Sequence, residues 1–172
     1  SSPTPIFALD VGKLGGMYAG KIYLVGTEKG LGVRNAGSLN ATTGQMRLNA
    51  NGDLTNTGNM IANKDQLQLN AENIKNTGNI SSATSQVRVD SQNLDNSGLI
   101  SSADELYLDQ QKTLTNAGVL NAARIVLDAN SLKNSGSIEQ TGAQSLDLIS
   151  GSISNTGGRI GLAKNSATSG DT

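Results

Sequence analysis

Residues 54–60 read Leu-Thr-Asn-Thr-Gly-Asn-Met, and the same order of residue types returns at residues 74–80 as Ile-Lys-Asn-Thr-Gly-Asn-Ile. The shared pattern is apolar-x-Asn-x-Gly-x-apolar, and its last copy carries one additional glycine, Gly158. A sequence that repeats at such a period is typical of a solenoid, whose units pack mainly on their neighbours. The repeated asparagines follow one another at intervals of 18–21 residues: Asn35, Asn56, Asn76, Asn96, Asn116, Asn134 and Asn155.

Between these blocks apolar residues alternate with other types, as in Leu67-Gln68-Leu69. A period of two indicates strands with one buried face, and the frequent Gly and Asn argue against helices. One unit of about three short strands cannot bury its apolar side chains alone, whereas stacked units can. We therefore predict an all-β chain, a right-handed parallel β-helix (solenoid) of about seven 18–21-residue coils. The inward positions of one coil would be Leu54, Met60, Ala62, Leu67, Leu69 and Ala71.

Two kinds of turn are expected in each coil. The Asn-x-Gly block is a fixed turn, in which we expect the glycine to adopt a positive φ angle. The step from an Ile80-type residue to the next strand instead varies between 5 and 8 residues. This second turn should therefore face solvent and tolerate insertions.

Composition excludes several classes of function. The chain has 172 residues, a formal net charge of -1, and neither His nor Cys. Cysteine nucleophiles, Ser-His-Asp triads and the usual zinc sites are thereby excluded. The balanced charge argues against a nucleic-acid partner, and no stretch approaches the ~20 apolar residues of a membrane helix. We predict a non-enzymatic protein without cofactors, nucleic-acid binding or membrane insertion.

The asparagine column is the first candidate site. In stacked coils the seven side chains would lie above one another and form a ladder of hydrogen-bonded amides. A ligand site does not normally repeat unchanged in every coil. The column is therefore predicted to be structural, with catalytic residues absent and the binding residues unassigned.

A second column consists of Asp90, Asp109 and Asp128, each directly after an apolar-x-apolar strand core. In successive coils these carboxylates would lie ~5 Å apart. That separation suits a calcium site or the paired carboxylates of a retaining glycosidase. The alternative is a solvated outward stripe with basic neighbours such as Arg88 and Arg124. We favour the stripe and keep the three residues as a secondary metal candidate.

Residues 7–37 read FALDVGKLGGMYAGKIYLVGTEKGLGVRNAG. This segment resembles one found in bacterial filamentous haemagglutinins, and it is similar to the related contact-dependent growth inhibition exoproteins. The Asn-x-Gly coils that follow look like the filament repeats of that family. The resemblance implies three regions: residues 1–32 as the end of a secretion-domain-like segment with the first coil, residues 33–162 as β-helix repeats, and residues 163–172 as a polar tail.

The same resemblance implies a location and partners. Proteins of this family are exported to the bacterial surface by two-partner secretion through an outer-membrane transporter. The chain would be a structural filament segment, or stalk, that presents an adhesion or toxin-delivery module to a receptor or glycan on a host cell or a neighbouring bacterium. One alternative is an adhesin module that binds a receptor or glycan through its variable turns. A second alternative is a β-helical polysaccharide-active enzyme.

Overall fold

The computed structural model describes residues 7–10, 16–26, 29–30 and 32–162. Within these ranges all helices are absent and the regular elements are β-strands. Their bounds are β1 Phe7–Asp10, β2 Met17–Ala19, β3 Ile22–Gly26, β4 Gly32–Asn35, β5 Ser38–Ala41, β6 Met46–Ala50, β7 Leu54–Asn56, β8 Asn59–Ala62, β9 Leu67–Asn70, β10 Asn73–Asn76, β11 Asn79–Ser82, β12 Val87–Asn96, β13 Leu99–Asn116, β14 Val119–Asn134, β15 Ser137–Gln140, β16 Asp147–Ser154 and β17 Arg159–Leu162.

Each strand pairs in parallel with its equivalent in the next coil. Strand β7 pairs with β10, β8 pairs with β11, and β9 pairs with the first part of β12. The register follows the sequence repeat, so that Leu54 lies beside Ile74 and Asn56 beside Asn76. This arrangement is a parallel β-solenoid of about seven turns with three strand-bearing faces, which confirms the predicted fold.

The interior is a continuous column of aliphatic side chains. All six inward positions predicted for one coil are buried, from Leu54 through Leu69 to Ala71. Equivalent side chains stack from coil to coil, for example Leu48 on Leu69 and Leu69 on Val89. Each coil therefore completes the apolar environment of its neighbours, and the removal of apolar surface from water drives the stacking.

Several strands are longer than the sequence predicts. Instead of three short strands per coil, β13 runs without a break from Leu99 to Asn116 and passes around two corners. Its pairing with β14 shifts register between Ser102 and Glu105 and again between Gln110 and Thr113. These corners are short enough for the chain to turn in extended conformation while the inter-coil ladder continues on both sides.

The expected positive φ of the fixed-turn glycines is wrong for the repeats from Gly37 to Gly136 and is met at Gly157, in the last Asn-x-Gly block. Among the described residues, positive φ angles occur only at Gly16, Gly30 and Gly157. The glycine of a typical Asn-x-Gly turn, such as Gly78, instead lies against the turn of the preceding coil. A Cβ atom on Gly78 would stand 2.0 Å from the carbonyl oxygen of Gly58. Glycine is required there by the close approach of two backbones.

The variable turn lies at the surface, where the sequence places it. Thr141, Ala143, Gln144 and Ser145 are exposed in its longest copy. Gln140 is buried at the start of that turn and accepts a hydrogen bond from the Ile125 backbone N–H at 2.9 Å. The Gln140 side chain, at the start of the longest variable turn, therefore satisfies the Ile125 N–H, which follows the shorter turn of the preceding coil.

The described parts of residues 1–32 join the same stack. Strand β1 pairs with β4, β2 with β5 and β3 with β6, all in parallel. The predicted polar tail, residues 163–172, lies outside the described residues.

Candidate functional site

The asparagine column forms a hydrogen-bonded ladder along the solenoid axis. Asn56 Nδ2 donates to Asn76 Oδ1 at 2.9 Å, and the other five steps measure 2.8 Å. The first six side chains are buried, whereas Asn155 in the last coil is exposed. The ladder contains Asn35, Asn56, Asn76, Asn96, Asn116, Asn134 and Asn155 in unbroken order.

Each ladder amide also holds its own turn and the next one. The Nδ2 group of Asn76 donates to the backbone carbonyl of Gly78 at 3.2 Å and to that of Leu99 at 3.1 Å. Three acceptors thus surround one amide group, which leaves no free donor for a ligand. Within the ladder itself, the Oδ1 atom of Asn35, at the first position, has no donor among the described residues. The column thus joins neighbouring turns through side-chain hydrogen bonds.

A second, shorter amide ladder was not identified from the sequence. Asn93 Nδ2 donates to Asn73 Oδ1 at 2.8 Å, and Asn73 Nδ2 donates to Asp53 Oδ1 at 2.9 Å. The backbone N–H of Thr113 then donates to Asn93 Oδ1 at 3.2 Å. The available signal was a polar residue at 20-residue intervals directly before the first apolar residue of each repeat.

The aspartate column is aligned in the structure. Asp90 lies beside Asp109, and Asp109 lies beside Asp128, in the pairing of β12 with β13 and of β13 with β14. Asp90 pairs with Arg88, whose Nε and Nη2 donate to the two Asp90 carboxylate oxygens at 2.8 and 3.1 Å. These hydrogen bonds to Asp90 raise the pKa of Arg88 above its ordinary value.

This alignment does not create a metal-binding cluster. Within the described residues, no group of three or more carboxylates is placed to hold a metal ion. A row of parallel side chains differs from a coordination sphere, because the oxygens of a cation site must converge on one point.

A row of outward side chains crosses the face that carries β3, β6, β9 and the paired parts of β12 and β13. Arg47 Nε donates to Gln68 Oε1 at 3.1 Å, and the Arg47 guanidinium lies 5.6 Å from the centroid of the Tyr23 ring. The Arg88 guanidinium lies 4.4 Å from the centroid of the Tyr107 ring. Tyr23 and Tyr107 therefore each have a cation over the ring, an arrangement that stabilises the exposed side of the sheet.

A polar groove lies beside this row, at the corner between the third strand of one coil and the first strand of the next. It encloses about 620 Å³. Its lining residues are Ala50, Asn51, Asn70, Ala71, Glu72, Arg88, Asp90, Ser91, Gln92, Asp109 and Gln111. The sequence repeat did not reveal the groove, although it did identify Asp90 and Asp109.

Across the described ranges, no helix is long and apolar enough to cross a bilayer.

Comparison with known proteins identifies relatives for part of the chain. It is 52% identical over 66 residues to Toxin CdiA of Yersinia pestis, a match that covers 38% of this chain and 2% of the relative. It is 48% identical over 58 residues to tRNA nuclease CdiA-2 of Burkholderia pseudomallei, covering 34% and 2%. It is 49% identical over 70 residues to tRNA nuclease CdiA of Yersinia mollaretii, covering 38% and 2%.

These relatives confirm the resemblance to contact-dependent growth inhibition exoproteins. The matched part of the chain spans about 2% of the length of these three relatives. No family model matches the chain, and no solved structure does. The homology and the parallel β-solenoid together fit a segment of such an exoprotein.

Proposed function

We propose that this chain is a filament segment of a large bacterial contact-dependent growth inhibition exoprotein. In this role it acts as a stalk, which holds an adhesion or toxin-delivery module away from the cell that produces it. The homology to CdiA proteins and the solenoid fold support this role, because each coil extends the molecule along one axis.

The observation that carries the proposal is the unbroken ladder from Asn35 to Asn155. Its six side-chain hydrogen bonds run parallel to the solenoid axis, alongside one continuous apolar core. With a spacing of ~4.8 Å between strands, seven coils give a rod about 34 Å long. Neighbouring coils are thus tied together on the inside, while the outer surface is left to vary.

The location and the partners belong to the same proposal. The parent exoprotein would be exported through an outer-membrane two-partner secretion transporter and would remain at the bacterial surface. Its target would be a receptor or glycan on a host cell or a neighbouring bacterium. Residues 1–32 would form the end of a secretion-domain-like segment with the first coil, residues 33–162 would form the β-helix repeats of the stalk, and residues 163–172 would be a polar tail.

We also propose that this segment is not itself an enzyme. The relatives are named toxins or tRNA nucleases, and each shares only a short matching stretch with this chain. Aliphatic side chains fill the interior of the solenoid, and the buried asparagine amides are hydrogen-bonded to one another in the ladder. Incubating the purified chain with tRNA and 16S rRNA should leave both substrates intact, and their cleavage would contradict this part of the proposal.

A deletion of one whole coil tests the stalk role. Removing residues 117–134 from the exoprotein joins Asn116 to Ser135 and preserves the order of Asn-x-Gly turns. We expect secretion and target-cell inhibition to persist, with a filament shorter by one strand spacing, ~4.8 Å. Removing only residues 117–125 leaves half a coil and should abolish secretion of folded filament. Loss of inhibition by a secreted, folded whole-coil variant would show that this coil does more than space the module.

A further inference from the structure

The corner that contains the polar groove differs in length between coils. The length of this corner is the difference in residue number between the last apolar residue of one strand core and the first apolar residue of the next coil. It is six for residues 48–54 and for residues 108–114. The corner length is only five for residues 69–74 and for residues 89–94, which belong to the two coils between them. Two longer corners thus flank two shorter ones in the stack.

These added residues form the two ends of the groove. Asn51 lies in the first long corner and Gln111 in the second, and both line the groove. The register between β12 and β13 shifts after Ser91, where the second long corner begins. The groove therefore extends over three strand spacings, roughly 14 Å. Its volume of about 620 Å³ lies within the range of roughly 300–1,000 Å³ typical of ligand sites.

The groove presents polar side chains that make no hydrogen bond to other described residues. Glu72, Gln92, Asp109 and Gln111 share this property, although Asp109 also lies within electrostatic reach of the Arg88 guanidinium. The two carboxylates are acceptors, whereas each amide is both a donor and an acceptor. Unlike the ladder asparagines, these groups are available to a ligand.

Charge narrows the class of ligand. Three carboxylates, Glu72, Asp90 and Asp109, line the groove together with one guanidinium, that of Arg88, so its formal charge is 3 negative minus 1 positive, or -2. Sulfated, sialylated or phosphorylated ligands would meet like charge there. A cation would leave the N–H donors of the groove amides unused, whereas a neutral ligand rich in hydroxyl groups would donate to the carboxylates and exchange hydrogen bonds with the amides.

We propose that this corner groove binds a neutral oligosaccharide, with Glu72 and Asp109 accepting sugar hydroxyls and Gln92 and Gln111 aligning the chain along the solenoid. The site lies on a corner that is nearly constant in length, and not on the variable turns. It is independent of the stalk role, because a stalk with or without this groove spaces a module equally well.

A glycan microarray tests the proposal with the 172-residue chain. The array should carry neutral oligosaccharides together with sialylated and sulfated ones. We expect retention on neutral structures, followed by a measurable affinity for the best neutral oligosaccharide in solution. Asp109→Ala removes a hydrogen bond to a charged acceptor and should weaken that affinity about tenfold or more.

Asp128→Ala is the matched control. Asp128 occupies the same column one coil further on but does not line the groove, so this variant should bind within about twofold of the unmodified chain. Circular dichroism must show that both variants retain their strand content. Binding confined to sulfated or sialylated structures, no neutral binding at millimolar concentration, or equal losses from the two variants would each overturn the proposal.

Discussion

Gly78 lies directly against Gly58 of the preceding coil, so that a Cβ atom on Gly78 would be 2.0 Å from the Gly58 carbonyl oxygen. The obstacle is backbone, and that backbone is engaged in the stack, because the same carbonyl accepts a hydrogen bond from the Asn79 N–H at 2.9 Å. The same close approach recurs at Gly98, Gly118 and Gly136. The repeated glycine thus sets how closely neighbouring turns can stack.

Gly78→Ala should therefore destabilise the chain by about 3 kcal/mol or more, because two coils must separate to accommodate one methyl group. Urea denaturation followed by circular dichroism measures this loss. Gly161→Ala is the control, because no atom lies within 4 Å of a Cβ built there and its φ is not positive. It should change stability by less than about 0.5 kcal/mol. Equal effects would show that backbone approach is not the constraint at Gly78.

Asn76→Asp should make folding dependent on pH. The new carboxylate would face three acceptors, namely Asn96 Oδ1 and the carbonyls of Gly78 and Leu99. Burial among acceptors raises the pKa of this carboxyl above its unfolded value of about 3.9, because only the protonated form can donate. Stability is then retained below the unfolded pKa and lost as pH rises toward the folded pKa.

Thermal melting of Asn76→Asp at pH 3.5 and pH 7 checks that sign. The variant should lose far less stability at the lower pH, relative to the unmodified chain under the same conditions. Lys75→Ala, an exposed neighbour, should show no such difference. An Asn76→Asp variant as stable as the parent at pH 7 would mean that the ladder contributes little to folding.

The solenoid was predictable because its main determinants are periodic. Alternation at Leu67-Gln68-Leu69 indicates the buried face, and the 20-residue interval from Asn56 to Asn76 gives the inter-coil register. The physical reason why position 78 requires glycine was not predictable, because it depends on the distance between the backbones of two neighbouring coils. The groove was missed for a related reason: a one-residue difference between coils has a consequence only after all of them are stacked in register.

Leu69→Asp tests the assignment of the inner face. Leu69 is 1% exposed among stacked aliphatic side chains, so an introduced carboxylate there would have neither water nor a cation beside it. We expect a loss of about 3–5 kcal/mol in urea denaturation. Gln68→Asp should be nearly neutral, because Gln68 faces outward and Arg47 already donates to its side chain. Comparable losses from the two substitutions would contradict the assigned faces.

An insertion distinguishes the two kinds of turn. Two or three Gly or Ser residues between Gly142 and Ala143 should leave folding intact, because Ala143 lies in an exposed turn of variable length. The same insertion between Asn96 and Ser97 should prevent stacking, because the Ser97 N–H donates to the Asn76 carbonyl at 2.9 Å. Melting temperatures compare the two variants, and similar values would remove the distinction between fixed and variable turns.

Calcium should leave the melting temperature of the unmodified chain unchanged. Asp90, Asp109 and Asp128 lie side by side, but Arg88 already donates two hydrogen bonds to Asp90 and neutralises one end of the column. The remaining carboxylates are partly solvated, so water and salt screen their repulsion. A ligand stabilises a fold only if it binds the folded state, and parallel carboxylates offer a cation no converging oxygens.

Arg88→Ala is the informative variant, because releasing Asp90 increases the negative charge of the column. Any stabilisation by millimolar calcium should appear only in that variant. A calcium-dependent rise in the unmodified chain that Asp109→Asn abolishes would instead establish the column as a cation site.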